Sequence, residues 1–425
     1  MDKFWFLFYN VLILPLFKIS INILSLINRK IRIGLKERGN LFDKLKTDLD
    51  KLDPSKKILW FHSSSSGEFE QAKPIIEEIN KTNQFNIVAS FFSPSGYHIA
   101  KKYEHIQCIT YYPFDSLTNI KKFINLINPA TLIIMRYDIW PNSIWELSRR
   151  NIPIFLVDAT MKKNSPRKLP LVKSFHSSLF KHFSKIITIS SEDRDGFLRF
   201  NLDPNKIEVA GDTRYDRVYQ KSLSALTQKI INEEIIKGKK IFVAGSTWKE
   251  DEDVLFPVLI KLHQNEKDLI SILVPHEPTI QNLDQIEFEL KNKISYIRFS
   301  RLNQYNGEKV IIVDSVGILL ILYAYADVAF VGGGFKSNIH NVLEPAVYGI
   351  PVLFGPKYSN SQEAYALIRK NGGFSVKDKL QMYKLLRKLF MDENYRQDIG
   401  KNAKCFVESN TGATSKIVSS LNHFL

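Results

Sequence analysis

Cysteine is scarce: the 425 residues contain two, Cys108 and Cys405, far apart in the chain. Neither stands in a metal-ligand spacing, which weighs against a disulfide framework and against a zinc site. Such usage suits a reducing compartment. An RNP-type aromatic motif, zinc-finger spacing and an arginine-rich tract are also missing, so no motif points to nucleic acid. Acidic residues are the minority charge, 44 against 59 basic ones, for a formal charge of +15. That excess fits an anionic membrane or an acidic substrate, and equally a Lys-rich solvated surface. With 44% hydrophobic and 24% charged residues the chain is globular, and its length favours two domains.

The longest apolar run comes first. Residues 4–17 read FWFLFYNVLILPLF, and ISINILSLI follows Lys18. Phe4 to Ile27 reaches the length of about 20 apolar residues that a membrane span needs, though Lys18, Asn22 and Ser25 dilute it. Next, NRKIRIGLKERGN carries Arg29, Lys30, Arg32, Lys36 and Arg38 against Glu37. If the segment spans, this cluster faces the cytoplasm. If it lies flat, the aromatics sit at the boundary and the cations meet anionic headgroups. Both readings attach the protein to the cytoplasmic face of a membrane. A cleaved signal peptide fits worse, because no small-residue cleavage site follows.

From Lys57 short apolar runs alternate with amphipathic stretches: ILWFH, NIVASFF, ATLIIM, IPIFLVDA, KIITIS and IEVAG, then KIFVAGST, LISILVP, KVIIVD, VAFVGGG and IPVLFG. Continuous apolar runs separated by helical patterns predict parallel strands buried on both faces. Two series predict an α/β protein of two doubly wound, Rossmann-like domains facing a cleft. The expected boundaries are an anchor and basic stretch at 1–40, a first domain at 41–217, a second at 218–405, and a last helix at 406–425 leaning back on the first domain.

Chemistry is expected where the strands end. In WFHSSSSGEFEQA a strand leaves through serines and Gly67 into a helix starting near Glu68. A carboxylate there serves the helix dipole, and it can equally serve as a general base. The turn is not a Walker loop, since no Gly-Lys-Ser/Thr follows. GSTWKEDED, from Gly245 and Ser246, offers backbone N–H groups at a strand-to-helix turn, where phosphate can bind. VPHEPT ends another strand at Pro275 and His276. In VGGGFKSNIHNVLEPAVYGIPVLFGP, Gly332, Gly333 and Gly334 allow close approach of a ligand, and a helix follows with Asn341 at its cap and Glu344 in its first turn. A glycine-rich loop before a helix with an early Glu suits the ribose of a nucleotide-sugar donor, and the same residues suit ordinary helix capping.

These pieces, in this order and nearly throughout the chain, resemble the 3-deoxy-D-manno-octulosonic acid (Kdo) transferases of lipopolysaccharide synthesis. HSSSSGEFEQAKPII, FFSPSGY, YYPFD, MRYDIWPN, GDTRYD, AGSTWKEDED, LVPHEP, HNVLEPAVYGIPVLFGP and NSQEA carry the resemblance. It implies the GT-B fold and metal-independent, inverting transfer of Kdo from CMP-Kdo to a hydroxyl of a lipid A precursor, lipid IVA, at the inner membrane. No cofactor is implied, and the partners are the donor, the lipid acceptor and membrane lipids, with no nucleic acid. Glu68 takes the catalytic-base position. Arg214 stands where relatives have a lysine that stabilises the transition state. CMP contacts map onto Pro275 and His276, onto Val316, Gly317 and Ile318, and onto Asn341, Val342, Leu343 and Glu344. His276 stands where relatives often carry arginine. The sharpest departure is Arg136, where many relatives place a glutamate assigned to the transition state. The charge is reversed, so that role does not transfer. Asp138 is the nearby carboxylate, and Arg136 itself suits an acceptor phosphate or the Kdo carboxylate.

Overall fold

The computed structural model describes residues 2–161 and 164–424. Two compact units divide the chain: Met1–Arg217 with Thr411–Leu425, and Val218–Asn410. The expected break at 405/406 would cut the Glu393–Glu408 helix; the actual one falls after Asn410. Gly412, at φ +101°, turns the chain there. The Asp216 carboxylate then accepts from Gly412 N, Thr414 N and Thr414 Oγ1, each at 2.6 Å, and so satisfies the otherwise orphaned start of the Ala413–Asn422 helix. Ile417 and Leu421 of that helix complete the first unit's core.

The first unit holds β1 (Lys57–Ser63), β2 (Phe85–Phe91), β3 (Cys108–Tyr111), β4 (Thr131–Met135), β5 (Ile154–Ala159), β6 (Lys185–Thr188) and β7 (Ile207–Val209), in the order β3-β2-β1-β4-β5-β6-β7. The second holds β8 (Lys240–Thr247), β9 (Leu269–Pro275), β10 (Tyr296–Arg298), β11 (Val310–Ile312), β12 (Val328–Val331), β13 (Val352–Phe354) and β14 (Gly373–Ser375), in the order β10-β11-β9-β8-β12-β13-β14. Neighbouring strands pair in parallel throughout. The central strands are buried along nearly their whole length because helices cover both faces, which is why they read as unbroken apolar runs. Strand order reverses between β1 and β4 and between β8 and β12. At such switch points helices leave to opposite faces and open a crevice beyond the strands' carboxyl ends.

The N-terminal segment is helical over Lys3–Ile27, with a π-turn at Tyr9–Ile13, and is long and apolar enough to cross a membrane. The wider turn keeps Trp5, Tyr9 and Leu14 on one buried face. That face is docked on the first unit. Tyr9 Oη donates to Asp115 (2.9 Å), the carboxamides of Asn10 and Asn142 pair at 2.8–2.9 Å, and Trp5 Nε1 donates to Ser174 (3.2 Å). The opposite face is exposed and apolar: Phe4, Leu7, Val11, Leu16, Ile19 and Ile23 are each more than half exposed. Asn28 ends this helix and caps the next, its Oδ1 accepting from Lys30 N and Ile31 N. Of the basic cluster, Arg38 is not available to headgroups. Its guanidinium donates to the Tyr112, Phe92 and Gly34 carbonyls and lies over Phe92 and Tyr111.

Candidate active site

Ser65 caps the Ser66–Asn80 helix, its hydroxyl accepting from Glu68 N at 3.5 Å, and Glu68 Oε2 accepts in return from Ser64 N. Glu68 therefore does cap the helix start. It is also buried, at 7% exposure. Burial raises its proton affinity most; the Ser64 N–H opposes, Asp138 adds to the rise and His62 lowers it. A carboxylate at a switch point with raised proton affinity is suited to taking a proton.

Asp138, just beyond β4, stands beside it and is held by a relay of side chains. Trp60 Nε1 donates to Ser90 Oγ (2.7 Å), His62 Nδ1 lies 2.8 Å from Ser90 Oγ and 3.2 Å from Ser90 O, and His62 Nε2 lies 2.9 Å from Asp138 Oδ2. His62 was legible in the sequence only as the end of a strand. Its burial at the tip of β1, where the last residues face the crevice, is what makes it the support for Asp138.

One helical turn after Glu68, Gln71 reaches the second half of this site. Its Oε1 accepts from Arg136 Nε at 2.6 Å and its Nε2 donates to Asp212 at 3.5 Å. Arg214 Nε and Nη2 both donate to Asp212 at 2.6–3.1 Å. Arg214 remains 39% exposed, whereas Arg136 is 20% exposed and turned towards Gln71 and Asp212, its Nη2 lying 4.0 Å from the latter. The first unit thus gathers Glu68, Asp138, Arg136 and Arg214 around the ends of β1 and β4 and the start of the Thr213–Leu226 helix.

In the second unit, Gly245 ends the apolar part of β8, and a Cβ there would lie 2.1 Å from the Tyr323 hydroxyl. Ser246 follows at φ +54°. The glycine loop after β12 is held from below. Asp251 accepts from Gly333 N (2.7 Å), Phe335 N (3.1 Å) and Trp248 N (3.0 Å), so the Gly333 N–H is committed within the protein. Asp251 stands three residues after the helix cap, a capping-box spacing that was readable in GSTWKEDED.

Pro275 is buried and His276 exposed. The His276 ring stacks on Trp248 (4.5 Å) and on His340 (4.4 Å). Trp248 Nε1 donates to His340 Nε2 at 3.0 Å, and Lys336 Nζ sits over the Trp248 ring. Burial, with the neighbouring His276, pushes His340 down to about 4. Trp248 and Lys336 were not singled out from the sequence. The helix after the glycine loop is shorter than expected, Leu343–Ala346, because the chain turns through Gly349 at φ +76°. Its N-cap is Val342 rather than Asn341; Asn341, one residue earlier, accepts from Leu343 N and donates to Glu344 Oε1. Val342 and Leu343 are buried side chains, so a ligand can use only their backbone. Val316 is exposed and Gly317 has φ +87°, in the loop after β11 that leads through Ile318 to the Leu319–Tyr323 helix. Among the described residues no group of three His, Cys, Asp or Glu side chains could hold a metal ion.

A family model described as 3-deoxy-D-manno-octulosonic-acid transferase (kdotransferase) matches residues 34–217. A 3-deoxy-D-manno-octulosonic acid transferase of Aquifex aeolicus is 30% identical over 80% of this chain and 88% of its own. One from Haemophilus influenzae is 26% identical over 99% of both chains. A bifunctional glycosyltransferase/methyltransferase of Fusobacterium nucleatum is 28% identical; the match takes in 91% of this chain and 61% of that longer protein. Among solved structures, a UDP-GlcNAc 2-epimerase from Neisseria meningitidis has a TM-score of 0.60 at 14% identity, covering 86% of this chain and all of its own. A glycosyltransferase from Rickettsia africae has a TM-score of 0.53 at 13% identity, covering 87% of this chain and 98% of its own. These two likenesses establish the architecture, two doubly wound domains of the GT-B kind.

Proposed function

The chain belongs to the 3-deoxy-D-manno-octulosonic-acid transferase family, and we propose that it moves Kdo from CMP-Kdo to a hydroxyl of a lipid A precursor with inversion at the anomeric carbon. The observation that carries the mechanism is Glu68: a buried carboxylate of raised proton affinity at the β1–β4 switch point, beside a second carboxylate fixed by His62. The acceptor hydroxyl is a poor nucleophile until its proton leaves as the new bond forms. Glu68 takes that proton. The oxygen attacks the anomeric carbon from the face opposite the phosphate, the glycosidic bond to phosphate breaks, and CMP departs with the electron pair. Positive charge develops on the sugar ring and negative charge on the departing phosphate, so charge placement lowers the barrier. Asp138 suits the first and Arg214 the second. Transfer proceeds without a metal ion, and full activity in excess EDTA is the expected result.

For the second unit the reading assigns the CMP moiety to the crevice between β8 and β12. His276, lying on Trp248 and His340, serves the phosphate; Asn341 and Glu344 serve the ribose; the backbone of Val316 to Ile318 and of Val342 and Leu343 completes the site. Titration calorimetry tests the donor: CMP binding with no UDP binding agrees, and the reverse ends the proposal. Glu68→Gln tests the base, with transfer lost and CMP binding retained.

The acceptor's acyl chains stay in a bilayer, and the N-terminal helix keeps the protein at the inner membrane's cytoplasmic surface. We place this helix along the membrane rather than across it. Tyr9 and Asn10 are hydrogen-bonded to Asp115 and Asn142 of the α/β unit, and drawing them into hydrocarbon would break those bonds or drag a water-soluble domain with them. The exposed apolar face enters the headgroup boundary, and Leu169 and Leu171, 58% and 77% exposed between Lys168 and Lys173, add a second apolar contact.

A further inference from the structure

Arg136 lies beside buried carboxylates, and these surroundings give it a role. Two carboxylates are buried at the carboxyl end of β5 and the start of the Thr213–Leu226 helix: Asp158 at 0% exposure and Asp212 at 6%. They bind successive residues. Asp158 accepts from Thr213 N (3.4 Å) and from the Thr213 hydroxyl, and Asp212 accepts from Arg214 N (2.9 Å). Both Arg136 and Asp158 hold positive φ, +61° and +51°, at neighbouring strand ends. Non-glycine residues pay strain for that conformation, which persists only where the surroundings fix it. Backbone ties Arg136 to the same strand end, since its N–H donates to Val157 O at 2.8 Å.

Two buried carboxylates served by one cation leave the group at net charge −1. Arg214, paired with Asp212, would then face that excess negative charge, and less of its field would reach a departing phosphate. A neutral residue at 136 would leave that charge uncompensated, and an acidic one would add a third negative charge. An arginine there brings the group to neutrality when both carboxylates are ionised. We infer that Arg136 is a positioning residue, the counter-ion to the buried Asp158–Asp212 pair, which leaves Arg214 fixed on Asp212 and still able to face the substrate. Gln71 mediates, joining Arg136 Nε to Asp212. The proton affinities agree. Burial and then Asp212 push Asp158 up to about 7, while Thr213 and Arg136 hold it down. Burial opposes ionisation of Asp212, but Arg214 first and Arg136 last among its partners bring it below the usual carboxylate range. Positions 136 and 158 are therefore a coupled pair. An arginine at 136 belongs with an aspartate at 158, and a residue without positive charge at 136 belongs with a neutral one at 158.

The inference rests on the proposed role of Arg214, and a double-mutant cycle on the full-length protein separates the two. Arg136→Gln is expected to lower kcat by roughly 10- to 100-fold, the scale of losing one charge-stabilising contact, with the KM for donor changed little. Asp158→Asn in the same chain is expected to restore most of that loss. The groups facing Asp158 are Asp212, Thr213 and Arg136. Without Arg136, protonation of Asp158 is the remaining way to neutrality, so the deficit of Arg136→Gln relative to wild type should shrink as pH falls from 8 to about 6. With Asp158→Asn added, the deficit should no longer vary with pH. Circular dichroism and Tm of each variant exclude misfolding. Additive losses, or an Arg136→Gln enzyme with unaltered kcat, overturn the inference and leave the transferase reading intact. A wild-type protein with no Kdo transfer overturns that reading instead. If the single variant does not fold, the Tm of the double variant decides: recovery supports the coupling and continued unfolding contradicts it.

Discussion

At the scale of single residues, Glu68 carries two duties that the sequence presented as alternatives. Its oxygen caps its own helix and its burial raises its proton affinity. A base works ionised, so activity should fall as pH drops through a value above the ordinary ~4.3 of a glutamate. A pH profile of kcat is expected to show its acidic limb displaced upward from that value; a limb at or below it removes Glu68 from the role. Asp138 depends on His62, and His62→Ala is expected to cost activity while leaving CMP binding unchanged, by calorimetry. Legibility at this scale divides along a physical line. Glu68 and Asn341 announce themselves because they stand in turn and capping patterns with a local cause, while Arg214 entered only through the family resemblance. Asp158, Asp212 and His62 do not, because what matters about them is burial against residues distant in the chain, and local sequence carries no record of that.

Among the elements, the central strands were readable, and of the four edge strands β7 was. β1, β4, β8 and β9 are buried on both faces and appear as apolar runs. β3, β10 and β14 lie at sheet edges, span four, three and three residues, and were missed, whereas β7, an edge strand just as short, was read as IEVAG. The glycine loop after β12 shows the same limit. Its glycines are explained less by a ligand than by the protein itself: a Cβ on Gly332 would lie 2.2 Å from Ser246 O, and Asp251 holds the loop's N–H groups. Asp251→Asn keeps the shape but weakens three hydrogen bonds, and it is expected to reduce CMP affinity about tenfold, at ~1.4 kcal/mol. Unchanged affinity would show that the loop is rigid without it. For the N-terminal helix, Tyr9→Phe leaves the buried Asp115 with one donor fewer and is expected to cost about 1–3 kcal/mol in urea unfolding.

For the whole molecule, a basic chain with an apolar helix fits an enzyme working on a phosphorylated lipid. The sequence left open whether the helix crosses the membrane, because length and hydropathy are the same for both arrangements; docking through Tyr9 and Asn10 supports the proposal that it lies flat. With anionic vesicles added to one side, Lys3→Cys should react with a membrane-impermeant maleimide from that side, as the exposed Cys405 does. Protection of position 3 would favour a span. The central claim is chemical, and mass spectrometry of a tetra-acylated lipid A precursor incubated with CMP-Kdo addresses it most directly. The expected spectrum shows the acceptor heavier by Kdo with the native protein and unchanged with Glu68→Gln, although that variant still binds CMP. A Glu68→Gln protein that adds Kdo at the native rate would contradict the account.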